Sequence, residues 1–319
     1  MISDLLAVEN LRVSYPQSGL FGGKQRLRAV NGISFTLNAG ERLGIVGESG
    51  CGKSTLGRAV LTLGPPYEGS IRFHGEELSE LMGEALRRAR RNMGLIFQDA
   101  LGSFHPRKTV WEAICASLHY QGVRERDRRE MLASSALKSV GLEPQFWNAV
   151  PQRLSGGQRQ RAAIARAIAG GPELLVCDEA VSALDGESRE QILALLDRVG
   201  SERHMALLFI SHDLRAVRQL CGETAVMYLG RFAECGPTEE IFSCPMHPYT
   251  RALLNAAPVP DPDAPRPAVL PGELPDPASP PEGCAFHPRC PMASERCRTQ
   301  TPDWRKRENG HGAACFFTE

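Results

Sequence analysis

The sequence predicts an α/β fold, in which short buried strands alternate with helices. One observation is a short apolar strand at residues 42–46 that runs into a glycine-rich loop, with a helical pattern behind it at residues 56–61. The other is a set of apolar runs of strand length that each end in polar residues. These runs lie at residues 93–97, 173–177 and 206–210, and the last is predicted to be the final core strand.

Strands are also predicted before and after this strand–loop–helix segment. Residues 6–15 alternate apolar and polar side chains, residues 27–37 form a second strand region before the loop, and residues 70–75 form another short strand. Tyr15 ends the first of these. An aromatic ring there is able to stack on an adenine, and an ordinary strand tyrosine is the alternative.

Composition narrows the class of protein. A chain of 319 residues accommodates one large α/β domain with a smaller part, or two ordinary domains. Lys+Arg 37 balances Asp+Glu 37, so the charge gives no support to a nucleic-acid partner, and the basic run at residues 87–91 is interpreted as a solvated helix face. No signal peptide or apolar stretch of the ~20 residues of a membrane span is present, which predicts a cytosolic protein.

The glycine-rich loop has the G-x-x-x-x-G-K-[ST] pattern of a phosphate loop. Its glycines let backbone N–H groups and a helix N-terminus point at one phosphate chain. Lysine adds a positive charge for the β- and γ-phosphates, and the following serine offers a hydroxyl ligand for Mg²⁺. The motif alone predicts nucleotide binding without saying what the nucleotide does. The loop consists of Gly47, Glu48, Ser49, Gly50, Cys51, Gly52, Lys53, Ser54 and Thr55.

Polar residues at the strand ends are candidates for catalysis. Gln98 offers an amide that reaches both Mg²⁺ and an attacking water, although a loop glutamine is the alternative. Asp178 is placed to hold Mg²⁺ through water and Glu179 to polarise the attacking water. Two carboxylates at the end of an apolar strand are costly unless a metal or water network uses them. His212 is a candidate for contact with the γ-phosphate, with a structural histidine as the alternative.

A second glycine motif follows the mainly helical region 99–150. Ser155 is a good helix N-cap, and Gly156 and Gly157 again allow a backbone to approach a phosphate closely. A simple cap needs neither the second glycine nor Gln158, so this motif is predicted to have a functional role.

These motifs, in this order, resemble the ATP-binding subunit of an ATP-binding-cassette (ABC) transporter, over residues 5 to about 257. The resemblance implies an ABC cassette of the P-loop NTPase fold, with a RecA-like core, an antiparallel β subdomain and a helical subdomain at about residues 99–170. It implies ATP hydrolysis with Mg²⁺ held by Ser54, Gln98 and Asp178, and catalysis by Glu179, His212 and Gln98.

Other roles also come from the resemblance. Tyr15 takes the adenine-stacking position, Asp185 the D-loop, and residues 154–158 the family signature. Family members dimerise head to tail, so Ser155 and Gly157 are expected to serve an ATP on the partner's phosphate loop. Ala180 departs from the pattern, because many relatives have proline after the catalytic glutamate.

The C-terminal part narrows the resemblance. Residues 236–242 and 247–254 are similar to the endings of cassettes from the peptide/nickel uptake group, which predicts a cassette at 1–257 and a proline-rich linker with a cysteine-rich extension at 258–319. Four thiolates suffice for the [4Fe–4S] cluster that the resemblance implies, and structural zinc or unliganded thiols are the alternatives. His287 and His311 are alternative ligands. The cysteines are Cys284, Cys290, Cys297 and Cys315.

The expected function is therefore an ATP-hydrolysing, energy-coupling subunit of a bacterial importer for di- or oligopeptides. The resemblance implies a peripheral protein on the cytoplasmic side of the inner membrane. Its expected partners are a second ATPase subunit, commonly a paralogue in this group, two transmembrane permease subunits and a substrate-binding protein, with no nucleic acid. Import of a nickel chelate, glutathione or another small solute is one alternative, and a soluble non-transport ABC ATPase is another.

Overall fold

The computed structural model describes residues 4–18, 24–257 and 272–318. Residues 258–271, which make up much of the predicted linker, lie outside this description. In chain order the elements are β1 (Leu6–Ser18), β2 (Lys24–Leu37), β3 (Arg42–Val46), α1 (Lys53–Val60), β4 (Tyr67–Phe73), β5 (Glu76–Glu77), α2 (Gly83–Arg91), β6 (Met93–Ile96), α3 (Val110–Tyr120), α4 (Arg126–Ser139), α5 (Gly156–Ile168), β7 (Leu174–Asp178), α6 (Gly186–Glu202), β8 (Ala206–Ile210), α7 (Leu214–Leu220), β9 (Glu223–Tyr228), β10 (Arg231–Pro237), α8 (Thr238–Ser243), α9 (Pro248–Ala256), α10 (Glu295–Thr299), β11 (Arg305–Lys306) and β12 (Gly312–Ala313).

The first of two compact units contains the described parts of Met1–Leu6, Leu37–Arg42 and Arg72–Ser211. Here β7 lies between β6 and β8 and pairs in parallel with both. All five residues of β7 are buried, as expected for a central strand of a parallel sheet. Because parallel strands end at the same edge, the residues after β6 and β7 come together there. Helices α3, α4, α5 and α6 pack against one another in the same unit.

The second unit contains the described parts of Ala7–Thr36, Leu43–Ile71 and His212–Glu319. In it β3 pairs in parallel with β9, and β9 pairs antiparallel with β10. Antiparallel pairing continues from β10 to β12 and from β12 to β11. Strand β1 lies between β2 and β4 in a separate sheet. The phosphate loop therefore follows a buried strand, β3, and opens helix α1.

The strands after β8 correct one prediction. The run at residues 206–210 is a strand, but it is not the last core strand, because β9 pairs with β3 and is buried after its first residue. Its mixed composition, with Thr224 and Ala225 among apolar residues, gives a weak local signal, and burial in the sheet decides its conformation. Element ends also differ: α1 begins at Lys53 rather than at residue 56, and Phe97 is exposed beyond the end of β6.

The described C-terminal residues 272–318 are part of the second unit. Strand β12 extends the sheet beyond β10, and Phe286 is buried against the rings of Tyr228 and Tyr249, at centroid distances of 5.3 and 5.4 Å. A small cysteine-rich extension is thus not supported as a fold element of its own, since these residues take their apolar partners from the rest of the unit. Among the described residues, no helix is long and apolar enough to cross a membrane.

Candidate functional site

Two glycines of the phosphate loop, Gly47 and Gly52, are required by their surroundings. Gly47 has φ 152, and a Cβ there would lie 2.2 Å from the carbonyl oxygen of Met227. Gly52 has φ 108, and its Cβ would lie 2.0 Å from the carbonyl oxygen of Ala29. Real Cβ atoms do not approach oxygen this closely, so neither position accepts a side chain without moving the backbone. Strands β2 and β9 thereby fix the shape of the loop.

Lys53 is the first residue of α1, and its side chain is folded into the loop. Its Nζ donates hydrogen bonds to the carbonyl oxygens of Gly47 (2.7 Å) and Glu48 (2.9 Å) and is buried. The loop carbonyls thus hold the ammonium at the N-terminus of α1, where backbone N–H groups lack helical partners and attract anions. Burial raises the pKa of the Cys51 thiol.

The end of β7 presents the two predicted carboxylates. Asp178 is buried, whereas Glu179 is partly exposed and has a left-handed φ of 50. That conformation is strained for a residue other than glycine, and the N–H of Glu179 donates to the carbonyl of Ile210 (2.9 Å), which helps to hold it. A buried carboxylate at a strand end is a chemically suitable ligand for Mg²⁺, so Asp178 fits the predicted metal set.

Gln98 and Glu179 are brought together, as the sequence predicts for two residues that act on one water. Nε2 of Gln98 donates to Oε2 of Glu179 across 2.8 Å. They follow β6 and β7, the paired parallel strands of the first unit. The hydrogen bond orients the carboxylate of Glu179, while the roles of both residues toward a nucleotide stay predictions.

The signature residues form a capping box at the start of α5. Oγ of Ser155 accepts from the N–H of Gln158 (3.2 Å), and Oε1 of Gln158 accepts from the N–H of Ser155 (3.0 Å). Gln158 is therefore part of the helix cap, contrary to the prediction from the sequence, because serine followed three residues later by glutamine is a capping pattern. Gly156 and Gly157 lie in the first turn of α5, where their predicted contact with a phosphate stays a prediction.

Asp185 caps helix α6 in the same unit. Its carboxylate accepts from the N–H and the Oγ of Ser188, both at 2.9 Å, and these hydrogen bonds lower its pKa. A Cβ built on Gly157 would lie 3.4 Å from Oγ of Ser188. The signature helix and the helix capped by Asp185 are therefore in contact at their N-terminal ends. This contact links the predicted signature to the predicted D-loop.

Two further candidates belong to the second unit. Tyr15 lies on β1 and is half-buried, and His212 follows β8 with an exposed imidazole. Both positions are accessible, which binding to an adenine ring or to a phosphate requires. Neither role is tested by these positions, so stacking by Tyr15 and phosphate contact by His212 stay predictions.

The predicted metal centre in the C-terminal region is not supported. The four thiols lie near enough to one another to raise the pKa of Cys284, Cys290 and Cys315, in addition to the larger effect of burial. Yet no three or more His, Cys, Asp or Glu side chains in the described part of the chain are grouped to hold a metal ion. The alternative histidine ligands have other partners: Nδ1 of His287 lies 3.0 Å from the carbonyl oxygen of Cys284, and Nε2 of His311 lies 2.6 Å from Glu234.

Sequence reasoning missed the residues that hold the phosphate loop from outside. The hydroxyl of Tyr249 accepts a hydrogen bond from the N–H of Glu48 (2.9 Å), and Arg289 binds the carboxylate of Glu48 through two hydrogen bonds. Tyr249 and Arg289 are 201 and 241 residues away from Glu48 along the chain. No local pattern in one sequence indicates such distant contacts.

Comparison with family models finds two matches along the chain. The model described as "ABC transporter" matches residues 30–182. The model described as "Oligopeptide/dipeptide transporter, C-terminal region" matches residues 233–297. The first contains the phosphate loop, the signature and the two carboxylates at the end of β7, and the second contains Tyr249, Arg289 and three of the four C-terminal cysteines.

Curated relatives match nearly the whole chain. A probable peptide ABC transporter ATP-binding protein of Sinorhizobium fredii is 46% identical over 99% of this chain and 90% of its own length. The di/tripeptide transport ATP-binding protein DppF of Pseudomonas aeruginosa is 43% identical over 99% and 98%. The oligopeptide transport ATP-binding protein AppF of Bacillus subtilis is 43% identical over 98% and 97%.

Solved structures of cassettes have the same fold. A dimeric ATP-binding cassette in a post-hydrolysis state, bound to ADP and Pi, matches with a TM-score of 0.66 and 28% identity, over 73% of this chain and 98% of that chain. A cassette from Clostridium perfringens that is part of an ABC transporter complex matches with a TM-score of 0.64 and 26% identity, over 76% and 91%.

Proposed function

We propose a function from one premise: this chain belongs to the family of ABC transporter ATP-binding subunits, and it has the cassette fold and the ATPase activity of that family. The proposed function is to hydrolyse ATP in order to drive the import of di- or oligopeptides. The observation that supports the peptide class is that an ABC transporter match and an oligopeptide/dipeptide transporter C-terminal match occur in one chain. The relatives named above are peptide transport proteins over almost the same length.

The proposed chemistry uses residues at or after the carboxyl ends of β3, β6 and β7. The phosphate loop and the ammonium of Lys53 bind the β- and γ-phosphates, and Ser54, Gln98 and Asp178 are the residues that would hold Mg²⁺. Mg²⁺, when bound, neutralises charge on the phosphates. Glu179, whose carboxylate is oriented by Gln98 at 2.8 Å, accepts the proton of the attacking water.

The proposed assembly has more than one polypeptide. A second ATPase subunit supplies its signature to the phosphate loop of this chain, and Ser155 and Gly157 of this chain serve the ATP of that subunit. Two transmembrane permease subunits carry the peptide, which a substrate-binding protein delivers. This chain then lies at the cytoplasmic face of the membrane, since its ATP comes from the cytoplasm.

Replacement of the proposed general base tests the hydrolysis mechanism. Glu179→Gln keeps the shape of the side chain but removes the proton acceptor, so turnover of ATP should fall by about 10²–10⁴-fold while MgATP binding is retained. Phosphate release and equilibrium binding of labelled ATP measure the two effects on the purified complex. Glu202→Gln, at an exposed glutamate in the last turn of α6, is the matched control and should leave both values unchanged. Wild-type turnover in Glu179→Gln would contradict the mechanism.

A transport assay tests the substrate class. The complex, copurified from membranes and reconstituted in liposomes with its binding protein, should accumulate di- or oligopeptides only when ATP is supplied on the side of this chain. Nickel chelates and glutathione, offered in the same assay, are the competing substrates. Uptake of one of these without uptake of peptide would overturn the peptide assignment.

The [4Fe–4S] cluster that the resemblance implies is not included in the proposed function, because no three or more metal-binding side chains of the described residues are grouped to hold a metal ion. The iron, sulfide and zinc content of the chain after anaerobic purification tests directly for a cluster or a zinc ion. Stoichiometric iron and sulfide would establish a cluster, and their absence would leave the cysteines as free thiols.

A further inference from the structure

The second residue of the phosphate loop has each of its polar groups held by a hydrogen bond within the second unit. Its N–H donates to the hydroxyl of Tyr249 (2.9 Å), and its carbonyl oxygen accepts from Nζ of Lys53 (2.9 Å). Its carboxylate accepts two hydrogen bonds from Arg289, at 2.7 Å to Oε2 and 3.0 Å to Oε1. Glu48 is therefore a fixed point of the loop, held on its main chain and on its side chain.

The pair formed by Arg289 and Glu48 has the geometry of a strong ion pair. The guanidinium meets the carboxylate with two parallel N–H···O bonds, and the arginine side chain is only 3% exposed, against 24% for the glutamate. Two-point pairs of this kind fix orientation as well as charge. Because the pair is largely removed from water, it is less screened than an ion pair on the surface.

Arg289 is itself held by the C-terminal region. It ends a short 3₁₀ turn, His287–Arg289, and its N–H donates to the carbonyl oxygen of Phe286 (3.0 Å). Phe286 is buried among the rings of Tyr228 and Tyr249, and Tyr249 also binds the N–H of Glu48. One packed group thus positions both the arginine and the tyrosine that hold the loop.

Charge gives this contact a consequence for ATP. Glu48 follows Gly47 directly, in a loop that binds a polyphosphate, and an uncompensated carboxylate beside that anion would oppose its binding. The guanidinium of Arg289 cancels this charge and keeps the carboxylate turned toward the C-terminal region. The N–H groups of the loop then remain arranged for phosphate.

We propose that Arg289 is a positioning residue for ATP binding, through which the C-terminal region completes the phosphate loop of its own chain. Its role rests on the ATP binding of the proposed function but not on the peptide substrate. The C-terminal region is thereby a part of the nucleotide site, and its folding and the ATP affinity of the cassette are linked.

The test measures ATP affinity and turnover separately in the full-length chain and its complex. In Arg289→Ala the Kd of a fluorescent ATP analogue, and the KM for ATP, should rise about tenfold, in keeping with the loss of a charge-assisted pair, while kcat stays within about twofold. Arg289→Lys, which keeps the charge without the fork, should show a smaller rise. The matched control is Arg218→Ala, because Arg218 makes the same two-point contact with Glu239 (3.0 and 2.6 Å) on the exposed surface, and it should leave Kd unchanged.

A rescue experiment separates positioning from a purely structural role. Adding Glu48→Gln to Arg289→Ala removes the uncompensated carboxylate, so part of the lost affinity should return. Equal Kd values for Arg289→Ala and Arg218→Ala would overturn the proposal. So would an affinity loss that follows a fall in melting temperature and that neither Arg289→Lys nor the added Glu48→Gln relieves. Failure of peptide uptake would leave these binding values untouched and would count against the transport assignment alone.

Discussion

Replacing Glu234 by alanine removes the carboxylate that ties β10 to the residues just before β12 and α9 in the second unit. The side chains of Glu234 and His311 both have 0% exposure, and Nε2 of His311 lies 2.6 Å from Oε1 of Glu234. The same carboxylate accepts hydrogen bonds from the N–H of Met246 (2.7 Å) and of His247 (2.8 Å). One buried side chain thus holds three polar partners.

The cost of the substitution follows from those three partners. In Glu234→Ala two backbone N–H groups and one imidazole lose their acceptor inside the protein, and each such loss costs roughly 1–3 kcal/mol. Three such losses add to roughly 3–9 kcal/mol, and water and small movements recover part of that total. We therefore expect the free energy of unfolding to fall by about 3–5 kcal/mol. Glu234→Gln keeps one oxygen acceptor and should cost less.

Chemical and thermal unfolding of the full-length chain, followed by circular dichroism, measure this difference. The control is Glu239→Ala, which breaks an exposed pair with Arg218 whose side chains are 69% and 53% exposed. Exposed pairs are worth about 0–1 kcal/mol, so this control should unfold nearly like the wild type. If the free energies of unfolding of Glu234→Ala and Glu239→Ala differed by less than about 1 kcal/mol, burial would not make the contacts of Glu234 costly to break.

Three other outcomes are expected. Burial lowers the pKa of His247 from 6.5 to about 4, so the unfolded chain binds the proton more tightly than the folded chain. The free energy of unfolding should therefore fall by up to about 3 kcal/mol as the pH drops from 6.5 to 4. His247→Asn, which keeps a capping oxygen, should flatten that part of the pH–stability curve. Gly52→Ala should abolish binding of a fluorescent ATP analogue, whereas Gly171→Ala, with φ +71 but open space, should retain it. Ser155→Ala and Thr109→Ala each remove a capping box at a cost of about 1 kcal/mol, and ATP turnover by the complex should fall only in the first.

Local patterns in the sequence predicted the parts of the fold that local physics determines. The strands at β3, β6, β7 and β8 are short apolar runs with a polar residue at the end, and each is found. The phosphate loop was recognisable because positive φ values and close backbone contacts demand glycine at fixed spacing. The sequence assigned Gln98 and Glu179 to one attacking water, whereas the pairing of β6 with β7 that brings them together is found only in the structure.

Contacts between distant parts of the chain were not predictable in the same way. Strand β9 has a weak apolar pattern, and its place beside β3 depends on pairing with residues about 180 positions away. Arg289 lies between cysteines that suggest a metal site, and no neighbouring residue in the sequence indicates that the partner of Arg289 is Glu48. The capping box of Ser155 and Gln158, by contrast, is a local pattern, because serine followed three residues later by glutamine is visible in the sequence.

The phosphate loop itself shows why a motif of nine residues does not determine an affinity. Gly47 and Gly52 are forced by the carbonyl oxygens of Met227 and Ala29, and the second residue of the loop is held by Tyr249 and Arg289. The motif supplies the N–H groups, but these distant residues determine how well the N–H groups are preorganised for ATP. Preorganisation lowers the free-energy cost of binding. Cassettes with the same loop but a different C-terminal region should therefore bind ATP with different affinities, and exchange of residues 272–318 for those of a relative that lacks the arginine should raise the Kd of this chain as Arg289→Ala does.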